Sequence, residues 1–348
     1  MNDATYKLIG AAYKEVEEKE PWLDDVTAVT DVAVLSDEAV RNSQKRPQED
    51  RNNKPDIGAA RVLLEGKYLF NVIDMEEDFE KYKVLILPDS IAIDNELESR
   101  LKAFLAKGGK LLASGESGLK ADGSGFAFDF GCEYVGKSEY KPAYVVPKVP
   151  LRSLDPSSYV IYQEGEVVKA QGGEELALRE ASYFNRDYLH FCSHQHAPNS
   201  GKMEGSAAVK GKDGIYFSWK VFSEYAEVGS LILKELVVYA LDTLLDGKKT
   251  LSTSLPAQGV VTLMEQKEKN RLVSHFLYAS PVKRGGGIEI IEDILPVYHT
   301  TAEIRCEEPV KEVYLAPQKE SVPFTQENGL VKFEIEKFEN HQMVVLQK

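Results

Sequence analysis

Apolar residues recur at helical spacing from the start of the chain. Tyr6, Ile9, Tyr13 and Val16 fall three or four apart, which predicts one amphipathic helix over residues 3–19. Pro21 ends it. A short apolar run, Asp-Val-Ala-Val-Leu, closes the stretch from Thr27 to Leu35, and a polar loop rich in Asn, Gln, Arg and Lys follows from Arg41 to Lys54. From residue 56 the pattern becomes regular. Asp56 is placed to cap a helix carrying Ala59, Val62 and Leu63, with Gly66 at its end. Apolar strands are predicted at Tyr68–Ile73, Lys83–Leu87 and Lys110–Ala113. Between the last two, Asp94 caps a helix whose face is Leu97, Leu101, Phe104 and Leu105. Strands alternating with helices of about 10–15 residues imply βαβ units and a parallel sheet.

The middle of the chain, residues 125–222, is richer in strands. Val145, Tyr159–Tyr162, Val167–Ala170, Leu176–Leu178 and Ile215–Val221 read as extended. Ser223 is then placed to cap one long helix, Glu224 to Leu245, apolar almost all round and so predicted to be buried between layers. After Asp246-Gly-Lys-Lys-Thr no helical pattern remains. Seven short strands are predicted: Val260–Met264, Leu272–Tyr278, Ile288–Ile291, Ala302–Arg305, Val313–Ala316, Val331–Ile335 and Met343–Leu346. In the sixth, Val331, Phe333 and Ile335 alternate with Lys332, Glu334 and Glu336. That many short strands over residues 251–348 reads as a β-sandwich.

Composition sharpens the picture. The 348 residues are 43% hydrophobic and 28% charged, enough for packed cores in more than one domain. A net charge of −14 argues against nucleic-acid or anionic-membrane partners, since phosphates would repel such a surface. Cys132, Cys192 and Cys306 are too few and too far apart for a disulfide framework, so a cytoplasmic location is expected. Acids interrupt the first residues where a signal peptide needs an apolar run, and no apolar segment reaches the ~18 residues of a membrane span.

Several stretches carry a resemblance. GAARVLLEGKYLFNVID (58–74), YKVLILPDSI (82–91), LKAFLAKGGKLLASGESGL (101–119) and HFCSHQHAP (190–198) resemble the middle, trimerisation domain of family 42 β-galactosidases. They resemble the related bacterial α-L-fucosidase-like hydrolases still more closely. Residues 260–281 and 338–346 resemble the C-terminal β-sandwich of those enzymes, and residues 6–22 the segment leaving their catalytic barrel. The resemblance implies a flavodoxin-like α/β domain, akin to class I glutamine amidotransferases, at residues 23–250. A linker helix at 1–22 would precede it and a β-sandwich at 251–348 would follow. A (β/α)₈ barrel takes about 250 residues, so the resemblance implies that the barrel lies outside this sequence, in cis or as a separate chain. The implied role is non-catalytic: homo-oligomerisation, trimers included, and scaffolding of a carbohydrate-cleaving site.

Candidate chemistry is sparse. Glycoside hydrolysis needs two carboxylates set about 5–10 Å apart across a sugar. The adjacent Glu76, Glu77 and Asp78 read instead as a solvated charge run. The turn after Leu112, Ala-Ser-Gly-Glu-Ser-Gly, holds no cysteine nucleophile, and Ser117 is not in Gly-x-Ser-x-Gly because Leu119 occupies the last position. A flavodoxin-like sheet would bind any ligand at its carboxyl strand ends, near Ser36, Asp74, Asp89 and Ser114. No phosphate-binding fingerprint is present, so no nucleotide, flavin or other cofactor is expected.

The most informative stretch runs from Asn185 to His196. His190, Cys192, His194 and His196 are spaced by two, and on an extended strand all four would share a face. Zinc accepts such ligands, which leaves a metal-dependent hydrolase using His190, His194 and His196 as one reading. Against it, neighbouring strand positions rarely converge on one ion. The preferred reading is a carbohydrate-binding loop. Asn185, Arg186, His190, His194 and His196 would supply hydrogen bonds to hydroxyls, and Tyr188 an apolar face. A hydrogen-bonded structural loop and a free-standing small-molecule binder remain open alternatives. His275 reads as a core histidine, and Trp22 and Trp219 as packing residues.

Overall fold

The computed structural model describes residues 2–44 and 53–348. Most of the polar loop expected at 41–54 lies outside the described residues. Its first residues close a short helix, Asp37–Ser43, and Lys54 opens the next, Lys54–Glu65. The chain divides into two compact units: Asp31–Leu63 with Phe70–Lys248, and the residues up to Thr30 with Leu64–Leu69 and Lys249–Lys348. Residues 23–30 and 64–69, placed by the sequence in the α/β domain, thus pack with the carboxy-terminal strands. Thr27 and Ala28 pair with Glu265 and Met264, and Leu69 enters that unit's core. A two-residue strand with both residues exposed carries no periodicity to betray its partner.

In the α/β unit five parallel strands lie in the order Phe70–Ile73, Val32–Leu35, Val84–Leu87, Lys110–Ser114, Gly214–Phe217. Numbered along the chain, that order is 2-1-3-4-5. All four residues of Val32–Leu35 and of Val84–Leu87 are buried, as expected of strands covered on both faces. Ala33, Leu35, Leu85, Leu87, Leu111 and Ala113 share a core with Leu97, Leu101 and Phe104 of the helix Asn95–Ala106. Asp94 caps that helix as predicted, its Oδ1 accepting from the Leu97 amide at 2.9 Å. The intervening Val34, Ile86 and Leu112 are equally buried, and the helix Leu231–Leu245 runs against Val84–Leu87, Lys110–Ser114 and Gly214–Phe217.

Beyond Gly214–Phe217 the sheet turns antiparallel through Asn199–Lys210, Glu174–Ser182, Ala143–Pro147 and Tyr159–Ile161. Cys132–Lys137 and Glu166–Ala170 form an antiparallel side pair joined to it where Val168 meets Ser206. Two of these strands escape the sequence pattern. Asn199–Lys210 begins with polar and glycine residues, and Cys132–Lys137 has no fully buried residue. Glu174–Ser182 is three times longer than its predicted apolar segment because it buries Arg179 and Glu180 with partners. Arg179 donates to Glu204 at 3.1 Å, and Glu180 accepts from Ser158 at 2.6 Å and Asn199 at 2.9 Å.

Two predicted caps are corrected. Asp56 lies inside the first turn of its helix, and its carboxylate accepts from the Ser36 hydroxyl at 2.8 Å and the Asp37 amide at 3.0 Å. The single helix expected from Glu224 to Leu245 is two, Val221–Val228 and Leu231–Leu245, broken at Gly229 in the left-handed region (φ 65°). Ser223 lies within the first and caps nothing. A continuous apolar pattern hides such a break, because both helices are buried.

The second unit is antiparallel throughout. Six strands run in the order Thr27–Ala28, Val260–Gln266, Arg271–Leu277, His341–Gln347, Glu312–Ala316, Glu320–Ser321. Four more run Leu251–Thr253, Val297–Arg305, Leu330–Phe338, Phe324–Glu327. Leu263, Phe276, Val313 and Leu346 of the first sheet share one core with Leu251, Ile304, Val331 and Phe333 of the second. The alternation predicted for Val331–Ile335 holds, with Lys332, Glu334 and Glu336 outside. Val282–Gly285 and Ile288–Ile290 pair only with each other. Trp22 and Trp219 are buried, as their packing reading requires.

The amino-terminal helix, Asp3–Lys19, forms as predicted. Asn2 caps it by accepting from the Ala4 and Thr5 amides. None of its residues is buried, and Tyr6, Ile9, Tyr13 and Val16 are exposed. Among the described residues no helix is long and apolar enough to cross a membrane.

Two helical glycines test the packing. A Cβ on Gly58 would collide with the Phe222 carbonyl, whereas Gly10 has nothing within 4 Å. Alanine normally stabilises a helix interior by about 0.5–1 kcal/mol over glycine. Gly10→Ala should follow that rule and raise helicity by circular dichroism. Gly58→Ala should reverse it and destabilise the α/β unit by roughly 1–3 kcal/mol in denaturant melts.

Candidate functional site

The strands Glu174–Ser182 and Asn199–Lys210 form a long hairpin whose connection, residues 183–198, holds every site residue expected from the sequence. This connection is not a strand, so His190, Cys192, His194 and His196 do not line one face. The reason is local. Asp187 Oδ1 accepts from the amides of Leu189 and His190 at 2.7 Å each, curling the chain, and the His190 ring closes on the same carboxylate at 3.0 Å. Aspartate favours such turns over extended structure. Those bonds, the His190 ring first, hold the Asp187 carboxyl below its ordinary range.

The remaining predicted residues divide by role. Asn185 ties the loop base to a neighbouring segment: its Oδ1 accepts from the Lys141 amide at 2.9 Å, and its Nδ2 donates to the Glu139 carbonyl at 2.6 Å. Arg186 staples the loop to itself by donating to the Gln195 carbonyl at 2.6 Å, with its guanidinium 5.5 Å from the Phe191 ring. His196 turns inward, its Nδ1 3.1 Å from the Tyr162 hydroxyl and its ring edge-on to Tyr144 and Tyr162. Cys192 Sγ donates to the His194 and His196 carbonyls. His194 is exposed and Tyr188 is 93% exposed. The six residues share a loop, not a pocket. Among the described residues no three His, Cys, Asp or Glu side chains are placed to hold a metal ion. What the loop offers is a tip of Tyr188, Leu189 and Phe191 in water, with imidazoles and a guanidinium beside it.

At the carboxyl ends of three of the parallel strands, Ser36, Asp89 and Ser114 are engaged by the protein's own groups. The Ser36 hydroxyl is engaged with Asp56 and the Ala39 amide. Asp74 is exposed and accepts from the Glu76 amide. Asp89 is fully buried at φ 53°. Its carboxylate accepts from the Ser114 hydroxyl (2.7 Å), the Phe222 and Ser223 amides (3.2 and 2.6 Å) and the Ser223 hydroxyl (2.6 Å). Ser117, also buried, accepts from the Ile91 amide, in keeping with a structural turn. Of the charge run, Glu77 pairs with Lys81 and Asp78 caps the turn Phe79–Lys81.

Sequence reasoning missed the neighbouring acid, Glu224, which is 1% exposed. It accepts from the Tyr162 and Gln163 amides at 2.8 and 3.3 Å, yet burial pushes its carboxyl up to about 7. Burial raises Asp89 as well, against its four donors. An acid amid Val221, Phe222 and Tyr225 was the available signal, but Glu227 in the same helix gives the same signal and is solvent-exposed.

Two measurements follow from this geometry. Because Glu224 holds its proton more tightly folded than unfolded, its contribution is fully present below about pH 4.5 and is lost as pH rises through 7. Between pH 5 and 8 the wild type should therefore lose up to about 3 kcal/mol relative to Glu224→Gln in denaturant melts. Asn185→Ala should speed tryptic and chymotryptic cleavage within residues 186–196 while shifting global stability by less than about 1 kcal/mol. Unchanged cleavage would mean that the loop holds its shape without the Asn185 bridge.

Comparison with known proteins places these features. Residues 61–125 match the β-galactosidase trimerisation domain. The whole chain is similar to a solved α-L-fucosidase isoenzyme 2 from Paenibacillus thiaminolyticus, with 45% identity and a TM-score of 0.95, covering 100% of this chain and 53% of that one. A β-galactosidase from Bacillus circulans sp. alkalophilus shares the fold at 15% identity and TM-score 0.59, covering 96% of this chain and 44% of that one. So does a catalytic mutant of a GH42 β-galactosidase from G. stearothermophilus, at 16% identity and TM-score 0.56, covering 92% and 40%. No curated protein matches the sequence. The chain spans about half the length of the solved relatives it matches. It carries a β-galactosidase trimerisation domain and is a relative of the glycoside hydrolases, similar throughout to just over half of an α-L-fucosidase chain.

Proposed function

We propose that this chain is the oligomerisation and scaffold portion of a glycoside hydrolase of the α-L-fucosidase or β-galactosidase kind, carrying no catalytic groups of its own. The observation that carries the reading is the 45% identity to an α-L-fucosidase over the whole of this chain but only 53% of the other. In this reading the flavodoxin-like domain expected at residues 23–250 is the unit Asp31–Leu63 with Phe70–Lys248, supported by the strand order 2-1-3-4-5 that such folds use. Residues 251–348 are a β-sandwich, supported by two antiparallel sheets sharing one core. The match of residues 61–125 to a trimerisation domain supports homo-oligomers, and trimers are the form the name implies. The glycosidase barrel is then a partner, in cis or as another chain, and the assembly works in the cytoplasm.

The 183–198 loop is the part of this scaffold offered to a sugar. Tyr188 supplies an apolar face for a pyranose ring, and Arg186, His190 and His194 supply hydrogen bonds to hydroxyls. Ser36, Asp89 and Ser114 at the strand ends are already engaged by the protein's own groups, which favours the loop over the sheet as the carbohydrate contact.

The test is hydrolysis of nitrophenyl α-L-fucoside and β-galactoside by the purified chain, with its mass in solution recorded alongside. No turnover from a stable oligomer is the expected result. Turnover that survives re-purification overturns the non-catalytic reading, and an inactive monomer removes the oligomerisation role.

A further inference from the structure

Three basic side chains in the second unit are joined end to end. Lys19 Nζ, on the last turn of the amino-terminal helix, lies 3.1 Å from His341 Nδ1, and His341 Nε2 lies 3.0 Å from His275 Nδ1. The two imidazole planes differ by only 4°, with centroids 5.3 Å apart. That separation is little more than the nitrogen–nitrogen distance plus the two ring radii. The rings therefore meet edge to edge, joined by an in-plane N–H···N bond, and are not stacked face on face.

The chain of bonds fixes the protons. A lysine ammonium only donates, so His341 Nδ1 must accept. The His341 proton then sits on Nε2 and is donated to His275 Nδ1, leaving the His275 proton on Nε2. Both rings are neutral in this arrangement, and each has one position for a second proton. On His341 it is Nδ1, which faces Lys19. On His275 it is Nδ1, which faces the His341 N–H. Adding a proton to either ring thus breaks a link.

Charge around the relay does not offset this. Lys19 and His341 both act on His275, and Lys19 acts on His341. Glu15 supplies the opposing charge, but it is spent on Lys19 as an exposed i,i+4 pair. Opposite His275 across the adjoining strand is the neutral Thr262, and Glu339 in the turn before His341 pairs with Lys337. Burial and the Lys19 charge hold both imidazoles below their ordinary range, His275 at about 4.

The helix that ends in Lys19 has no buried residue. Beyond it the chain is anchored separately. Trp22 is packed with Val273, Ala316, Met343 and Val345, and the Pro21 carbonyl accepts from Arg271 and Gln266. The relay thus bears on the direction of the helix and not on the attachment of its end. We propose that Lys19, His341 and His275 form an acid-released latch that holds the Asp3–Lys19 helix against the strands Arg271–Leu277 and His341–Gln347, so that acidification frees the helix to pivot about the Trp22 anchor.

Amide hydrogen exchange of the full chain, corrected for the intrinsic effect of pH, tests this. Protection of the last helical turn and Glu20 should fall roughly tenfold between pH 7.5 and pH 5, as expected for loss of a charge-assisted hydrogen bond. The core amides of strand 271–277 should stay protected. His341→Gln keeps an acceptor for Lys19 and a donor for His275 without titrating, so it should remain protected at both pH values. Lys19→Met removes the donor while keeping an unbranched side chain of high helix propensity, and it should show the acid level already at pH 7.5. Wild-type protection that does not change with pH overturns the latch, as does a Lys19→Met helix protected like the wild type at pH 7.5.

Discussion

The α/β unit depends on one buried carboxylate. Asp89 follows the central strand Val84–Leu87 and receives four hydrogen bonds from two other places: the Ser114 hydroxyl at the end of the neighbouring strand, and the amides and hydroxyl that open the helix Val221–Val228. These groups come from positions far apart in the sequence. An ionised carboxylate in such a place is costly unless it is fully satisfied, and a missing partner would leave an uncompensated buried charge. The left-handed backbone at Asp89 is maintained by the same contacts. Glu224, one residue beyond Ser223, repeats the device with the Tyr162 and Gln163 amides. At the carboxyl ends of the strands, where folds of this order commonly hold a ligand, Asp89 and Ser114 are thereby occupied by the protein's own groups.

That occupation moves the interesting chemistry outward. The 183–198 loop is stiffened from within by Asp187 and Arg186 and tied to residues 139–141 by Asn185, yet it holds Tyr188, Leu189 and Phe191 in solvent. Ordering a loop costs conformational entropy, and here its internal polar bonds offset that cost while its apolar side chains gain no burial. The amino-terminal helix shows the same imbalance, with a regular apolar stripe and no buried residue.

Much of this architecture was legible in the sequence because it rests on short-range periodicity. Val32–Leu35 and Val84–Leu87 are apolar runs of strand length, Leu97, Leu101 and Phe104 repeat at helical spacing, and Val331, Phe333 and Ile335 alternate. Such patterns report which side of an element faces a core, whatever that core is made of. Elements whose stability comes from pairing were harder to see. Asn199–Lys210 is a long strand made largely of small and polar residues, and it is specified by its partners Glu174–Ser182 and Gly214–Phe217. In the candidate site the residues themselves were legible, since Asn185 to His196 stands out in composition. Their arrangement was not, because the Asp187 turn, a matter of two amide bonds, outweighs the two-residue spacing that suggested a strand.

By itself the sequence determined the class of each unit, the positions of most strands and helices, and the stretch richest in polar and aromatic groups, because local spacing and composition decide these. Tertiary structure alone decided which distant groups meet. It set Asp56 on the end of another helix instead of its own, broke one apolar helix into two at Gly229, and moved Thr27–Ala28 and Leu69 into the second unit. It also joined Lys19 to His341 and His275 across more than 250 residues of chain. A hydrogen bond between remote side chains leaves no period in the sequence, so only the folded chain reveals it.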